Sequence, residues 1–253
     1  MPDDVRSRFA PVAANYSRST FHAGKRGLEE VVDLAEPKPG ELALDVATGT
    51  GNAAFALAAV CGRVAGLDLT PEMLAEARRI AAERSIANVD WVLADAEALP
   101  FPDGTFDIYM VRAAPHHFPN LEQSLREAAR VIKPGGRACF IDCAPPAAAR
   151  DVLHGVEVGR DPSHVRSRTV DEWTQVLGEA GLVVEHADQR EVDWDHDDWM
   201  NNMAVPAEQR PALAAMVEAA TGPAREQLRP ERREGMLWHA YWHCLIRARK
   251  PWS

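Results

Sequence analysis

Apolar residues gather in short runs near 41–46, 63–68, 90–94, 106–112 and 137–142, and segments of helical spacing near 52–61, 70–84 and 121–132 separate most of them. That βα alternation predicts a parallel sheet with right-handed crossovers. An amino-terminal helical region precedes it to about Glu36 and is closed by Pro37-Lys38-Pro39-Gly40. Lys133-Pro134-Gly135-Gly136 predicts a helix stop and a tight reversal before the fifth strand. Beyond residue 146 the pattern changes. A short helix over 147–159 leads to the loop Arg160–Arg166, then to a helix opening at Thr169 with Glu172 at capping-box spacing. Leu182–Asp193 reads as a strand. A stretch from Asp193 to Met203, a helix near 206–220 and an arginine-rich region look like an insertion before a last strand, Met236–Arg249. The chain thus divides into a helical cap (1–40), a binding core (41–145) and a carboxyl-terminal part (146–253) that completes the sheet and carries a substrate lid.

The strand ends carry the chemistry. Leu42 to Phe55 reads as a buried strand, a glycine turn and a helix start. Gly49 and Gly51 let a ligand approach the backbone, and the helix from Asn52 aims N–H groups at it. Gly49-x-Gly51-x-x-Ala54 also fits the relaxed dinucleotide fingerprint. Asp45, however, gains nothing beside a pyrophosphate. A carboxylate suits S-adenosylmethionine, which carries a sulfonium and an ammonium and no phosphate. Asp68 ends the second strand, where a carboxylate accepts both ribose hydroxyls, a feature that serves NAD equally. Thr70 and Pro71 then open a helix as N-cap and first residue. The third strand ends in Asp95-Ala96-Glu97, within reach of an adenine amino group. Three consecutive strands ending in an acid mark the carboxyl edge of the sheet as a ligand site.

Composition narrows the partners. Hydrophobic residues make up 46% of the 253 and charged ones 26%, ordinary for a soluble enzyme, and no apolar run approaches a membrane span. Asp3 and Asp4, with no apolar stretch behind them, predict a cytoplasmic protein. A net charge of −10 leaves no broad basic face for nucleic acid. Arg225, Arg229, Arg232 and Arg233 alternate with Glu226, Glu231 and Glu234 and read as a solvated helical face. Cys61, Cys139, Cys143 and Cys244 lack a paired spacing and read as buried thiols. No metal site is expected: nothing completes a shell around His239 and His243, and the run Asp193, Asp195, His196, Asp197, Asp198 reads as an exposed loop.

The stretches LDVATGTGNAAF, VAGLDLTPEML, ADAEALPFPDGTFDIYMVRAAPHHF and LREAARVIKPGGRACFID, in that order from Leu42 to Asp142, resemble class I S-adenosylmethionine-dependent methyltransferases. The resemblance is nearest to the ubiquinone/menaquinone-biosynthesis C-methyltransferase group. It implies an α/β, Rossmann-like, doubly wound fold with a mainly parallel seven-stranded sheet. The last strand is then antiparallel and inserted between the fifth and sixth. It further implies that Asp45, Gly49 and Gly51 hold the methionine part, Asp68 the ribose, and Asp95 with Ala96 the adenine. Ala47, Leu69, Met73 and Arg112 complete the expected cofactor wall. Arg8 to Tyr16 is similar to the helical segment that closes over the cofactor, which adds Tyr16, and Phe21 and His22 are candidates for the same lid. Ala47 stands where many relatives have glycine, which crowds the turn. Two alternatives stay open: an NAD(P)-dependent oxidoreductase, and a binding protein that has lost catalysis.

In this fold the loop Ala113–Phe118 faces the methyl group. Methyl transfer needs aligned partners and excluded water, and alignment alone supplies about 7 to 11 kcal/mol. A hydroxyl nucleophile must also lose its proton, for which a positioned histidine contributes roughly 10² to 10⁴ in rate. His116 and His117 are the candidates, His117 first. The competing possibility is that one imidazole only walls the pocket while the other bonds a backbone carbonyl. Resemblance to O-methyltransferases of natural-product sugars draws in Asp142, to orient the histidine or hold a substrate hydroxyl. The Asn/Asp-Pro-Pro-Tyr/Phe motif that receives planar amines is absent after the fourth strand. The expected acceptor is therefore a small molecule methylated at oxygen or a quinol-like carbon. Arg160, His164 and Arg166 are expected to recognise a carboxylate or phosphate on it.

Overall fold

The computed structural model describes residues 5–10 and 25–252. Five parallel strands form its centre: β1 (Leu42–Val46), β2 (Arg63–Asp68), β3 (Val89–Leu93), β4 (Phe106–Arg112) and β5 (Ile132–Cys143). They are joined to β6 (Val183–Asp195) and β8 (Met236–Arg249) in the order β3-β2-β1-β4-β5-β8-β6. Strand β8 runs antiparallel to both neighbours, between β5 and β6 as expected. A three-residue strand, β7 (Glu231–Arg233), adds to β8 off the main path.

Side chains of β1 and β4 alternate between two buried faces. Leu44, Val46, Tyr109 and Val111 pack with Phe140 and Trp173 on one side. Ala43, Ile108 and Met110 pack with Val31, Leu57 and Cys139 on the other. This double burial is what a parallel sheet covered on both faces requires. Helices α2 (Lys25–Ala35) and α3 (Asn52–Ala58) supply the second of these layers, while α5 (Leu121–Val131) and α7 (Val170–Glu179) back the first. Helix α4 (Pro71–Glu83) starts at the expected Thr70-Pro71, and α7 starts with the expected Thr169–Glu172 capping box.

Helix α6 (Ala147–Arg160) packs with α8 (His196–Asn202), α9 (Arg210–Glu218), α10 (Gly222–Leu228) and the first half of β8. Leu153, Trp199, Met200, Leu213, Tyr241 and Trp242 build that third core. Helix α1 (Val5–Phe9) joins its margin through Phe9. Tyr16, Phe21 and His22 lie outside the described residues.

Three local expectations change. The Lys133–Gly136 turn falls inside β5 and not before it: Gly135 takes φ +76° and the β4–β5 register shifts there, while Gly135 N–H donates to Lys250 O and Lys250 N–H to Gly136 O, extending the β5–β8 ladder over the glycines. The acidic run is not a loop. Asp193 closes on Arg233, and Asp195 caps α8 by accepting from Asp197 N (2.9 Å) and Asp198 N (3.3 Å). The late arginines do not share one helical face, since Arg232 and Arg233 sit on β7; they and Arg229 are paired with Glu218, Asp193 and Glu191. All four cysteines are unbridged and buried. Among the described residues, no helix is long and apolar enough to cross a membrane.

Candidate active site

The carboxyl ends of β1 to β4 open into a cleft of about 470 Å³, within the usual size of a cofactor or substrate pocket. Its floor is the turn after β1. Thr48 N–H donates to Leu67 O (2.9 Å), and Gly49 N–H donates to Asp68 Oδ2 (2.7 Å), so the turn is strapped to β2. The other oxygen of Asp68 accepts from Thr70 N (2.9 Å). Asp68 lines the cleft, and its burial raises the carboxyl pKa against those backbone donors.

Asp45 corrects the expectation. Only 1% exposed and not part of the cleft wall, it accepts a hydrogen bond from Thr48 Oγ1 at 2.5 Å beneath the turn. Burial pushes its pKa up to about 7, against the Thr48 hydroxyl. Its carboxylate holds the turn from beneath and does not line the cleft. The two glycines also divide their work. A Cβ on Gly49 would meet nothing within 4 Å, so this backbone is open to the cleft. Gly51, at φ +88°, would set a Cβ 2.7 Å from Trp91 and 2.8 Å from Phe55, so packing and a left-handed backbone require glycine here.

Ala47 carries the crowding foreseen from sequence, at φ +52°. A left-handed alanine costs roughly 1 to 2 kcal/mol, partly offset in glycine by unfolded-chain entropy. Ala47→Gly is therefore expected to raise unfolding stability by about 1 kcal/mol with ligand affinity retained. Urea titration checks this, and an unchanged midpoint refutes the strain.

The remaining wall brings together most of the expected residues. Leu69, Met73, Asp95, Ala96 and Arg112 line the cleft with Ala47, Gly49 and Asp68. Asp95 Oδ1 accepts from Glu97 N (2.9 Å), which fixes its carboxylate at the rim. Burial lowers the pKa of Arg112, opposed by Glu30 and Asp45.

Opposite stands the loop after β4, where Pro115–His117 form one 3₁₀ turn. His117 lines the cleft and His116 lies behind it, their ring centroids 4.1 Å apart. Asp142, at the end of β5, takes His116 and not His117: its Oδ1 is 2.5 Å from His116 Nδ1. Burial disfavours the His116 cation, but Asp142 and the adjoining Cys143 outweigh it and hold the pKa well above the usual imidazole value. His117 goes the other way. Burial, then the charge on His116, push it down to about 3 against the pull of Asp161. His116, Asp142 and Cys143 bring ligand-type atoms within 4.8 Å of one another. The first two touch as hydrogen-bond partners, much closer than the about 3.3 Å that separates two donors on a tetrahedral metal.

The segments expected to close the cleft, the one that begins at Arg8 and the loop after α6, do border it, but through side chains that sequence reasoning did not single out. Phe9 stands edge-on to His117 at 5.2 Å, and Phe118, Ser163 and Val165 join the wall. Arg8 anchors α1 by donating to Arg160 O (3.0 Å) and Met203 O (2.9 Å). Arg160, His164 and Arg166 do not line the cleft. Arg160 forks onto Glu157 (2.9 and 3.1 Å) and lies 4.8 Å over Trp199. Arg166 pairs outward with Glu172 (2.5 Å). His164 is buried against His116 and His154, with Nε2 3.2 Å from Ser167 Oγ. The loop's contribution to the cleft is Ser163 and Val165. His239 faces His196 (3.3 Å) and His243 lies 3.4 Å from Glu30, so the two histidines of β8 serve different neighbours.

A family profile described as "Methyltransferase domain" matches residues 44–140. The uncharacterized methyltransferase YcgJ of Bacillus subtilis (strain 168) is 30% identical over 220 residues, covering 86% of this chain and 87% of its own. This chain belongs to the S-adenosylmethionine-dependent methyltransferases. The demethylmenaquinone methyltransferase of Thermus thermophilus is 43% identical over 129 residues, half of this chain and 58% of its own. The crystal structure of the B. subtilis YcgJ protein matches with a TM-score of 0.85 at 28% identity, over 89% of this chain and 98% of that one. Family membership sets aside the oxidoreductase alternative.

The buried imidazoles give this methyltransferase a pH signature. His117 and His164 are lowered to about 3 and His196 to about 4, in each case by burial first. Unfolded, all three titrate near 6.5. As pH falls below that value the unfolded chain gains protons that the folded chain refuses, so stability drops, by up to about 1.4 kcal/mol per pH unit for each imidazole. Asp45, raised to about 7, takes up a proton on folding in the same window and offsets one of the three. Urea midpoints should decline from pH 6.5 to 4.5, His239, also lowered by burial, adding to the loss and Asp68, raised by burial, opposing it. A flat profile would mean that these rings are charged in the folded state.

Proposed function

We propose that the chain transfers the methyl group of S-adenosylmethionine to a hydroxyl, or to a quinol-like carbon, of a small and largely apolar acceptor. One observation carries this reading. A single cleft holds Asp68 and Asp95 on one side and His117, walled by Phe9, Phe118 and Val165, on the other.

The wall residues fit the donor. Asp68 receives the ribose hydroxyls, Asp95 and Ala96 meet the adenine, and Leu69 and Met73 pack against the nucleoside. Gly49 leaves room beside the backbone, and Arg112 and Ala47 face the methionine end. When bound, S-adenosylmethionine supplies a methyl carbon whose bond to sulfur breaks, with the electron pair left on sulfur, as the bond from the acceptor forms.

His117 handles the proton. The Ser163 carbonyl oxygen, 3.2 Å from Nδ1, can only accept, so Nδ1 carries the hydrogen and Nε2 keeps its lone pair. Nε2 takes the acceptor's hydroxyl proton, and the positive charge lost from the donor ends on the imidazole. A pKa near 3 makes His117 a weak base. It suffices because a hydroxyl oxygen that is gaining a methyl group becomes strongly acidic in the transition state. The His116–Asp142 pair stiffens the loop from behind, and the aromatic wall keeps water from the reacting atoms.

The test is incubation with isotope-labelled S-adenosylmethionine and a cell extract, read by mass spectrometry. A small product carrying the labelled methyl group on oxygen or carbon is expected. Donor binding without any labelled product would leave the non-catalytic alternative standing.

A further inference from the structure

We infer that Asp161 and Ser163, in the turn after α6, are positioning residues that set the tautomer of His117 and offset the charge it gains. The inference rests on the proposed role of His117 as proton acceptor and deepens it.

The turn is built around one carboxylate. Asp161 Oδ1 accepts from Ser163 N (3.0 Å) and from Ser163 Oγ (2.6 Å). Because the Ser163 hydroxyl donates to Asp161, only its lone pairs remain for His117 Nδ1 at 3.1 Å. The Ser163 carbonyl at 3.2 Å likewise only accepts. Both partners therefore demand hydrogen on Nδ1, and the arrangement excludes the other tautomer. The backbone fixes the same register, since Val165 N (2.8 Å) and Arg166 N (3.2 Å) both donate to His116 O. Asp161 and Ser163 are each 1% exposed, so water does not compete for these bonds.

The second oxygen of Asp161 faces the other ring nitrogen. Oδ2 is 3.9 Å from His117 Nε2, too long for a hydrogen bond and close enough for a low-dielectric charge pair once Nε2 is protonated. The groups that surround His117 make this necessary. His116 stacks on it and is held protonated by Asp142, His164 stands at 6.3 Å, and Phe9 covers an edge. Glu157 is a more distant anion, and Arg8 draws on Asp161 from 3.7 Å. Asp161 is the carboxylate that faces Nε2, where it offsets an imidazolium pressed against a second one.

The protein, saturated with S-adenosylhomocysteine and labelled with ¹⁵N-histidine, reports the tautomer directly by NMR. The expected spectrum has His117 protonated at Nδ1 and bare at Nε2. Asp161→Asn keeps an oxygen for both Ser163 donors and removes the charge, so it should preserve the tautomer while lowering kcat about 10- to 100-fold at unchanged donor KM. Ser163→Ala removes one of the two acceptors on Nδ1 and leaves the backbone carbonyl, so it should keep hydrogen on Nδ1 while lowering kcat, and Ser163→Thr should restore the rate. A wild-type His117 protonated at Nε2 overturns the inference, as do Asp161→Asn and Ser163→Ala enzymes that turn over at full rate while His117→Ala is slow. Full turnover by His117→Ala instead removes the proton-acceptor role itself, whatever the spectrum.

Discussion

His117→Ala is expected to lower kcat by about 10²- to 10⁴-fold while the affinity for S-adenosylhomocysteine stays within about twofold. The split follows from position. His117 lies on the wall opposite Asp68 and Asp95, so removing its ring leaves the donor contacts alone and takes away the proton acceptor. Single-turnover rates with saturating donor, alongside calorimetric binding of the demethylated product, separate the two effects. Wild-type turnover in His117→Ala would eliminate proton transfer to this residue. His116→Ala is a sharper control than it looks. It strands Asp142, 3% exposed, without its 2.5 Å partner, so it should destabilise the fold, whereas His117→Ala leaves behind only a turn already satisfied within itself. Loss of activity in both variants with loss of stability in one would distinguish the reacting imidazole from the supporting one.

Much of the core was legible because parallel strands buried on both faces write themselves as apolar runs, and the turns between them need Pro, Gly or a capping residue at set places. The reversed direction of β8 was not legible in this way. A buried run carries no arrow, and the expectation came from family likeness. Within the site, strand-end acids could be located but not aimed. Asp45 and Asp68 both end strands beside the glycine turn, yet Thr48 Oγ1 takes Asp45 underneath while Gly49 N and Thr70 N hold Asp68 at the rim. That choice depends on how the turn folds over β2. Arg160 was misread for a different reason. Glu157 stands one helical turn before it, a local i, i+3 pair that sequence does contain and that satisfies the guanidinium within α6. The grip of Ser163 on His117 spans 46 residues and two separate loops, and no local pattern announces it.

The division of labour between the two turn glycines predicts opposite phenotypes for the same substitution. Gly51→Ala adds a Cβ at φ +88°, 2.7 Å from the Trp91 ring and 2.8 Å from the Phe55 ring. The backbone strain costs roughly 1 to 2 kcal/mol and the forced shift of two packed aromatics about 1 to 3 more. A loss of about 2 to 5 kcal/mol is a large share of the 5 to 15 that folded domains possess. Gly49→Ala meets no atom within 4 Å, so its stability cost is confined to the backbone strain at φ +53°, roughly 1 to 2 kcal/mol. Its methyl group instead projects where the cleft floor must admit the donor, and ligand affinity should fall more than tenfold. Urea unfolding and calorimetric titration with S-adenosylhomocysteine on the two variants read both quantities. If Gly49→Ala proves the less stable protein, or binds as tightly as the parent, then the open face of this turn is not where the donor lies.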